Sequence, residues 1–169
     1  MKWQNLYVPL GLLLLTMNSF GQDSSKDKTS VSVSISATVV DQIQLITLAD
    51  IDVGTVIPSE DILRLDPRKD QGAGIIKVLG RQNSSIQISY SSQVEMVNLA
   101  SNSILLVSYN IGGSVDNDQT ASDVFSTNPV TVNLNGEGEY YLWIGCSFSM
   151  KNLVPGQYDG DFILEVDYN

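Results

Sequence analysis

The chain contains no histidine. That removes serine–histidine–aspartate and cysteine–histidine catalysis, together with every histidine-ligated metal site. Carboxylates remain as groups that could move protons, and three close pairs stand out: Asp50 with Asp52, Glu137 with Glu139, and Asp159 with Asp161. Two carboxylates facing each other across a cleft can hydrolyse a glycosidic bond. Each pair here instead alternates along the chain or flanks a turn, as solvated charge does, so no catalytic residue and no enzyme are expected. Asp116, Asn117, Asp118 and Asp123 gather oxygen ligands of the kind calcium takes. They lack the glycine and distal glutamate of a helix-loop-helix calcium site, so a solvated acidic loop is expected and no metal or cofactor is assigned. Asn83-Ser84-Ser85 matches a glycosylation sequon and is equally ordinary turn chemistry. Trp143 and the tyrosines at 140, 141 and 158 offer rings on which a sugar could stack. Trp143 sits in a strand pattern, however, where a half-buried core aromatic is the expectation. Cys146, the single cysteine, lies in the apolar run Tyr140 to Phe148 and is expected to pack as a small buried hydrophobe.

The charge balance narrows the partners. Nine basic residues stand against 19 acidic ones, for a net charge of −10. Nucleic acid is not an expected partner, because binding it depends on cations that neutralise phosphate, and anionic membrane surfaces are disfavoured for the same reason. At the start of the chain, Lys2 precedes an apolar stretch from Leu6 to Leu15, and small residues at Ser19 and Gly21 precede Gln22. This is the pattern of a cleavable signal peptide over residues 1–21. A membrane-spanning helix needs about 20 apolar residues, whereas this stretch is interrupted by Pro9 and followed by Thr16 and Asn18. A lipid anchor would need a cysteine just after it. The expectation is export to the periplasm, cell surface or exterior, with a flexible polar leader over 22–30 and one domain over 31–169.

The elements that must carry these residues are strands. Val31, Val33, Ile35, Ala37 and Val39 alternate with serines and a threonine, a period of two that places the apolar side chains on one face. Further β-type runs follow at Ile43 to Leu48, Ile62 to Leu65, Ile75 to Leu79, Ile86 to Tyr90, Ile104 to Tyr109, Val130 to Leu134, Tyr140 to Phe148 and Phe162 to Tyr168. Turn residues separate them, among them Asp66-Pro67, Gly112-Gly113, Asn135-Gly136, Pro155-Gly156 and Asp159-Gly160. Many short strands with such punctuation predict an all-β, antiparallel sandwich. Asn135-Gly136 suits a tight hairpin, which would pair Val130 to Leu134 with Tyr140 to Ile144. Gln93 to Ala100 fits a short helix or a strand, and Ser114 to Asn128 reads as a long surface loop.

Two terminal segments point to assembly. Phe162, Leu164, Val166 and Tyr168 alternate with Ile163, Glu165, Asp167 and Asn169, Tyr168 is penultimate, and Gly156 is fourteenth from the end. This ending resembles that of pilin subunits assembled by the chaperone and usher route. The order "ATVVDQIQLI", "LADIDVGTVIPSE", "LRLDPR", "IIKVLGRQNSSIQISY", "YYLWIGCSFSM" and "PGQYDGDFILEVDY" resembles a bacterial secreted β-sandwich family of unknown function. That family is grouped with the major subunits of Mat/Ecp-type fimbriae and with spore-coat-U-like domains. Cys146 departs from its pattern, where a second glycine is more typical. The resemblance implies an immunoglobulin-like or pilin-like sandwich and a non-enzymatic structural or adhesive surface protein, with protein partners: copies of itself, a chaperone or a surface ligand. An alternating strand can add to an open sheet edge in another subunit. Val31, Val33, Ile35 and Val39 are the candidate donor residues, and Gly156, Phe162, Leu164, Val166 and Tyr168 the candidate terminal-strand residues. The competing reading keeps Val31 to Val39 as the first strand of its own sandwich, which its direct run into Ile43 to Leu48 with little linker favours. The alternative reading is a monomeric secreted module for calcium or glycan.

Overall fold

A computed structural model describes residues 34–37, 43–54 and 61–169. The signal peptide, the leader and the candidate residues Val31, Val33 and Val39 lie outside the described residues. The described chain forms β1 (Ser34–Ala37), β2 (Gln44–Ala49), β3 (Ile62–Leu65), β4 (Gly74–Leu79), β5 (Ser85–Tyr90), β6 (Gln93–Asn98) and β7 (Ile104–Ser114). A 3-10 turn at Gln119–Ala121 precedes β8 (Asp123–Val124), β9 (Val130–Asn133), β10 (Glu139–Ser149), β11 (Tyr158–Asp159) and β12 (Asp161–Tyr168).

These strands make the expected all-β, antiparallel sandwich. One sheet runs β1-β12-β5-β9, and the larger runs β11-β6-β7-β10-β4-β2, with β3 on β10 and β8 on β7. Every pairing is antiparallel except β1 with β12. The period-two pattern explains the layers. On β12, Phe162, Leu164 and Val166 are buried while Asp161, Ile163, Glu165 and Asp167 are exposed. They meet Ile86 and Ile88 of β5, Ile76 and Val78 of β4, Val107 and Ile111 of β7, and Leu142 and Ile144 of β10 in one core. Each such aliphatic side chain contributes about 1.5–3 kcal/mol by leaving water.

Three local expectations are corrected. The Asn135-Gly136 hairpin does not form: β9 pairs β5 in the smaller sheet, while β10 lies in the larger one. A two-residue turn needs positive φ at both central residues, and here only Gly138 of that stretch takes it, at +80°. The Asn135 side-chain oxygen instead accepts from the backbone N–H groups of Glu137 and Glu139, at 3.0 and 2.8 Å, and turns the chain from one sheet to the other. Gly112-Gly113 is no turn but the interior of β7. A Cβ at Gly112 would meet Ser122 Oγ at 2.9 Å, and one at Gly113 would meet the Tyr140 and Phe125 rings at 2.6 and 2.7 Å, so the missing side chains make room on both faces. The Ser114 to Asn128 stretch is not wholly loop, since it carries the 3-10 turn and β8. Gln93 to Ala100 resolves as the strand β6.

Candidate functional site

The chain's two outermost described strands meet at one sheet edge. β1 runs parallel to β12, with Ser34 opposite Asp161, Ile35 opposite Phe162, Ser36 opposite Ile163 and Ala37 opposite Leu164. Among the described residues β1 has no other strand partner and forms the margin of the four-stranded sheet. On its far side, β12 is held by β5 from Leu164 opposite Tyr90 to Tyr168 opposite Ile86. The Phe162 ring packs on Tyr109, centroids 4.6 Å apart, and on Tyr90 at 6.5 Å. Burial pushes the Tyr109 hydroxyl well above its ordinary range, with neighbouring Cys146 adding to the shift, and that hydroxyl has no hydrogen-bond partner among the described residues. Burial likewise pushes the Cys146 thiol up to about 11, so it is neutral and inert as a nucleophile.

Tyr168 closes the strand. Its hydroxyl accepts the backbone N–H of Arg81 at 2.8 Å, and the Arg81 guanidinium lies 4.2 Å from its ring centroid. Thus Phe162, Leu164, Val166 and Tyr168 share one inward face, with Ile35 at the register position opposite Phe162. Gly156 is not part of this edge. It precedes β11, takes φ +146°, and a Cβ there would meet the side-chain nitrogen of Asn98 at 2.7 Å. Asn98, which sequence reasoning missed, is buried and accepts from Ala100 N–H and Ser101 N–H at 2.9 and 3.0 Å. Its amide nitrogen has no hydrogen-bond partner among the described residues.

The acidic candidates are local fixtures. Asp118 Oδ1 accepts from the Thr120 hydroxyl at 2.7 Å and the Thr120 N–H at 2.9 Å, which holds its carboxyl below the usual range. Glu139 pairs with Lys77 at 2.5 Å and accepts from the Tyr141 hydroxyl at 2.7 Å. Its carboxyl is lowered, chiefly by the hydrogen bond from Lys77. Among the described residues no three acidic or cysteine side chains converge as a metal site, and no helix is long and apolar enough to cross a membrane.

The outer face of the larger sheet divides into two halves. Trp143 points outward from β10 but is only 1% exposed, clustered with Ala73 and Tyr141. It is opposite Gly112 and Ile75 in register, and Ser122 sits over Gly112. Gln119 donates to the Pro67 and Asp70 carbonyls at 2.9 and 2.8 Å, and Arg68 donates to the Thr120 carbonyl at 3.3 Å. These bonds tie the 66–70 and 119–122 segments into a roof beside the ring. Trp143 is therefore enclosed rather than half-buried, with no face open for stacking, and Tyr158 is also buried, its hydroxyl donating to the Val154 carbonyl at 2.8 Å. The other half of the face is uncovered among the described residues: Ile104 is 63% exposed and Leu106 49%, with Ile62, Val97 and Val154 also exposed.

No family model matches the chain, and no curated protein matches it. Among solved structures it is similar to a chain from the chaperone–tip adhesin complex described as vital for synergistic activation of CFA/I fimbriae biogenesis. The TM-score is 0.44 at 12% identity, over 76% of this chain and 41% of that one. The chain thus spans about two fifths of the length of the one it matches.

Proposed function

We propose that this is an exported structural or adhesive surface subunit, fimbrial-subunit-like, whose strand β1 exchanges between copies. The observation that carries the reading is the parallel β1–β12 ladder. Among the described residues the marginal strand β1 pairs only with β12, so the same contacts form whether β1 comes from the same copy or from a second one. The alternation of Val31, Val33, Ile35 and Val39 suits a strand that adds to a sheet edge, and the lack of histidine fits a non-catalytic role. The signal-peptide pattern supports export.

A cysteine pair tests this directly. Ser36 and Ile163 are opposite in register, so in Ser36→Cys/Ile163→Cys an oxidised bridge marks where β1 lies. Covalent dimers or ladders at high concentration, dissolved by reductant, are the expected result on a non-reducing gel. Intramolecular bridges alone, at every concentration, would show that β1 stays in its own sandwich. Val33→Asp with Ile35→Asp should abolish any assembly seen by size-exclusion chromatography.

A further inference from the structure

Between the roof and the bare apolar half lies a hollow of about 240 Å3 lined by Arg64, Ser108, Tyr109, Asn110 and Ser147. Register explains its form. Arg64 is opposite Ser147, Ser147 opposite Ser108, and Ser108 opposite Gln93, so a polar row crosses β3, β10, β7 and β6. The two serines at its centre are the short side chains, and the surface dips there. Gln93 Nε2 donates to Ser108 Oγ at 3.3 Å, which leaves the serine hydroxyl proton free for a ligand. One wall is fixed by Gly145, opposite Asn110, where a Cβ would meet Pro67 Cδ at 2.6 Å. On the other side are the exposed Leu106 and Ile62, followed by a second groove of about 230 Å3 lined in part by Ser103, Ile104, Ser149 and Lys151.

Charge singles out this face. Among the described residues, Lys69 pairs with Asp66, Lys77 with Glu139, Arg68 binds the Thr120 carbonyl and Arg81 covers the Tyr168 ring. Arg64 and Lys151 make no ion pair there, and they line these two neighbouring grooves. In a chain of net charge −10, two uncommitted cations beside hydroxyls and an amide favour an anion that carries its own hydroxyls. Two cations are too few to neutralise a nucleic acid backbone.

We propose that this face binds an acidic polysaccharide. One uronate sugar occupies the hollow, its carboxylate on the Arg64 guanidinium, whose planar fork suits that group. Ser108, Ser147 and Asn110 meet the sugar's hydroxyls, Leu106 and Ile62 meet its C–H face, and Lys151 meets the carboxylate of a following unit. The inference deepens only the adhesive half of the reading above and uses no strand-exchange residue, so either can fail alone.

The test is affinity electrophoresis of the full exported protein in gels containing polygalacturonate, dextran or polyglutamate. Retardation by polygalacturonate alone is expected, weakening as salt is raised. Arg64→Gln should cost about tenfold in affinity and Lys151→Gln about threefold, as expected for a charge-assisted contact and a more exposed one. Arg64→Lys should recover part of the loss, Asn110→Ala should weaken binding while leaving its salt dependence intact, and Arg81→Gln should change nothing. A thermal midpoint equal to that of the parent confirms that each variant is folded. No retardation by polygalacturonate, undiminished retardation of folded Arg64→Gln, or equal retardation by polyglutamate would each overturn the proposal.

Discussion

Strand β10 offers two solutions to one problem. Its first half, Glu139 to Ile144, is flanked by β4 and β7 and carries Tyr141 and Trp143 on the outward face. Lys77 lies over the Tyr141 ring, 5.4 Å from its centroid, and Trp143 is enclosed with Ala73 and Ile75 beside the polar segments pinned by Gln119 and Arg68. The second half, Cys146 to Ser149, is flanked by β3 and carries serines outward. There nothing among the described residues forms a roof, and the apolar side chains of the neighbouring strands stay open. An outward aromatic is thus no sign of a binding face in this molecule. The open half, with its small residues and uncommitted cations, is the better indicator of a surface meant for something else.

Substitutions in the two halves should therefore differ in kind. Trp143→Ala should cost about 3–5 kcal/mol of stability by emptying an enclosed space, whereas Leu106→Ala should stay within about 0.5 kcal/mol. Urea denaturation of both would collapse the contrast if their midpoints moved equally. At the boundary, Gly145→Ala presses a methyl group into the Leu65 carbonyl oxygen and Pro67. A loss of about 1–3 kcal/mol is expected from overpacking, again read from denaturant midpoints. The smallest effect belongs to the solvent-facing Lys77–Glu139 pair. The lowered carboxyl of Glu139 contributes stability above its unfolded range, lost as pH falls through the depressed folded value. The raised Lys77 contributes below its unfolded range, lost as pH rises through the raised value. Glu139→Gln should flatten the acid side of a thermal-midpoint profile slightly and leave the roofed half intact.

Period-two alternation made β12 and β5 readable from residues alone, because each buries one face and wets the other. The strand runs at Ile62, Ile104, Val130 and Tyr140 were equally visible. Their partners were not, since Asn135-Gly136 obeys the local rule for a hairpin while the chain there crosses between sheets on bonds to the Asn135 side chain. The double burial of β10 had a signal in its unbroken apolar run, which is how strands covered on both faces read. The roof had none, because Gln119 and Ser122 look like any polar loop until Gly112 gives them a seat. The polar row through Arg64 was also hidden, as it draws one residue from each of four strands and depends on register.

The parallel ladder between β1 and β12 has a mechanical meaning. A load entering ahead of β1 and leaving after β12 pulls the two strands lengthwise in opposite directions, because Ser34 and Asp161 lie at the same end of the ladder. The hydrogen bonds are then sheared together rather than unzipped one by one. A subunit strung into a chain through these ends would resist tension with the whole ladder at once.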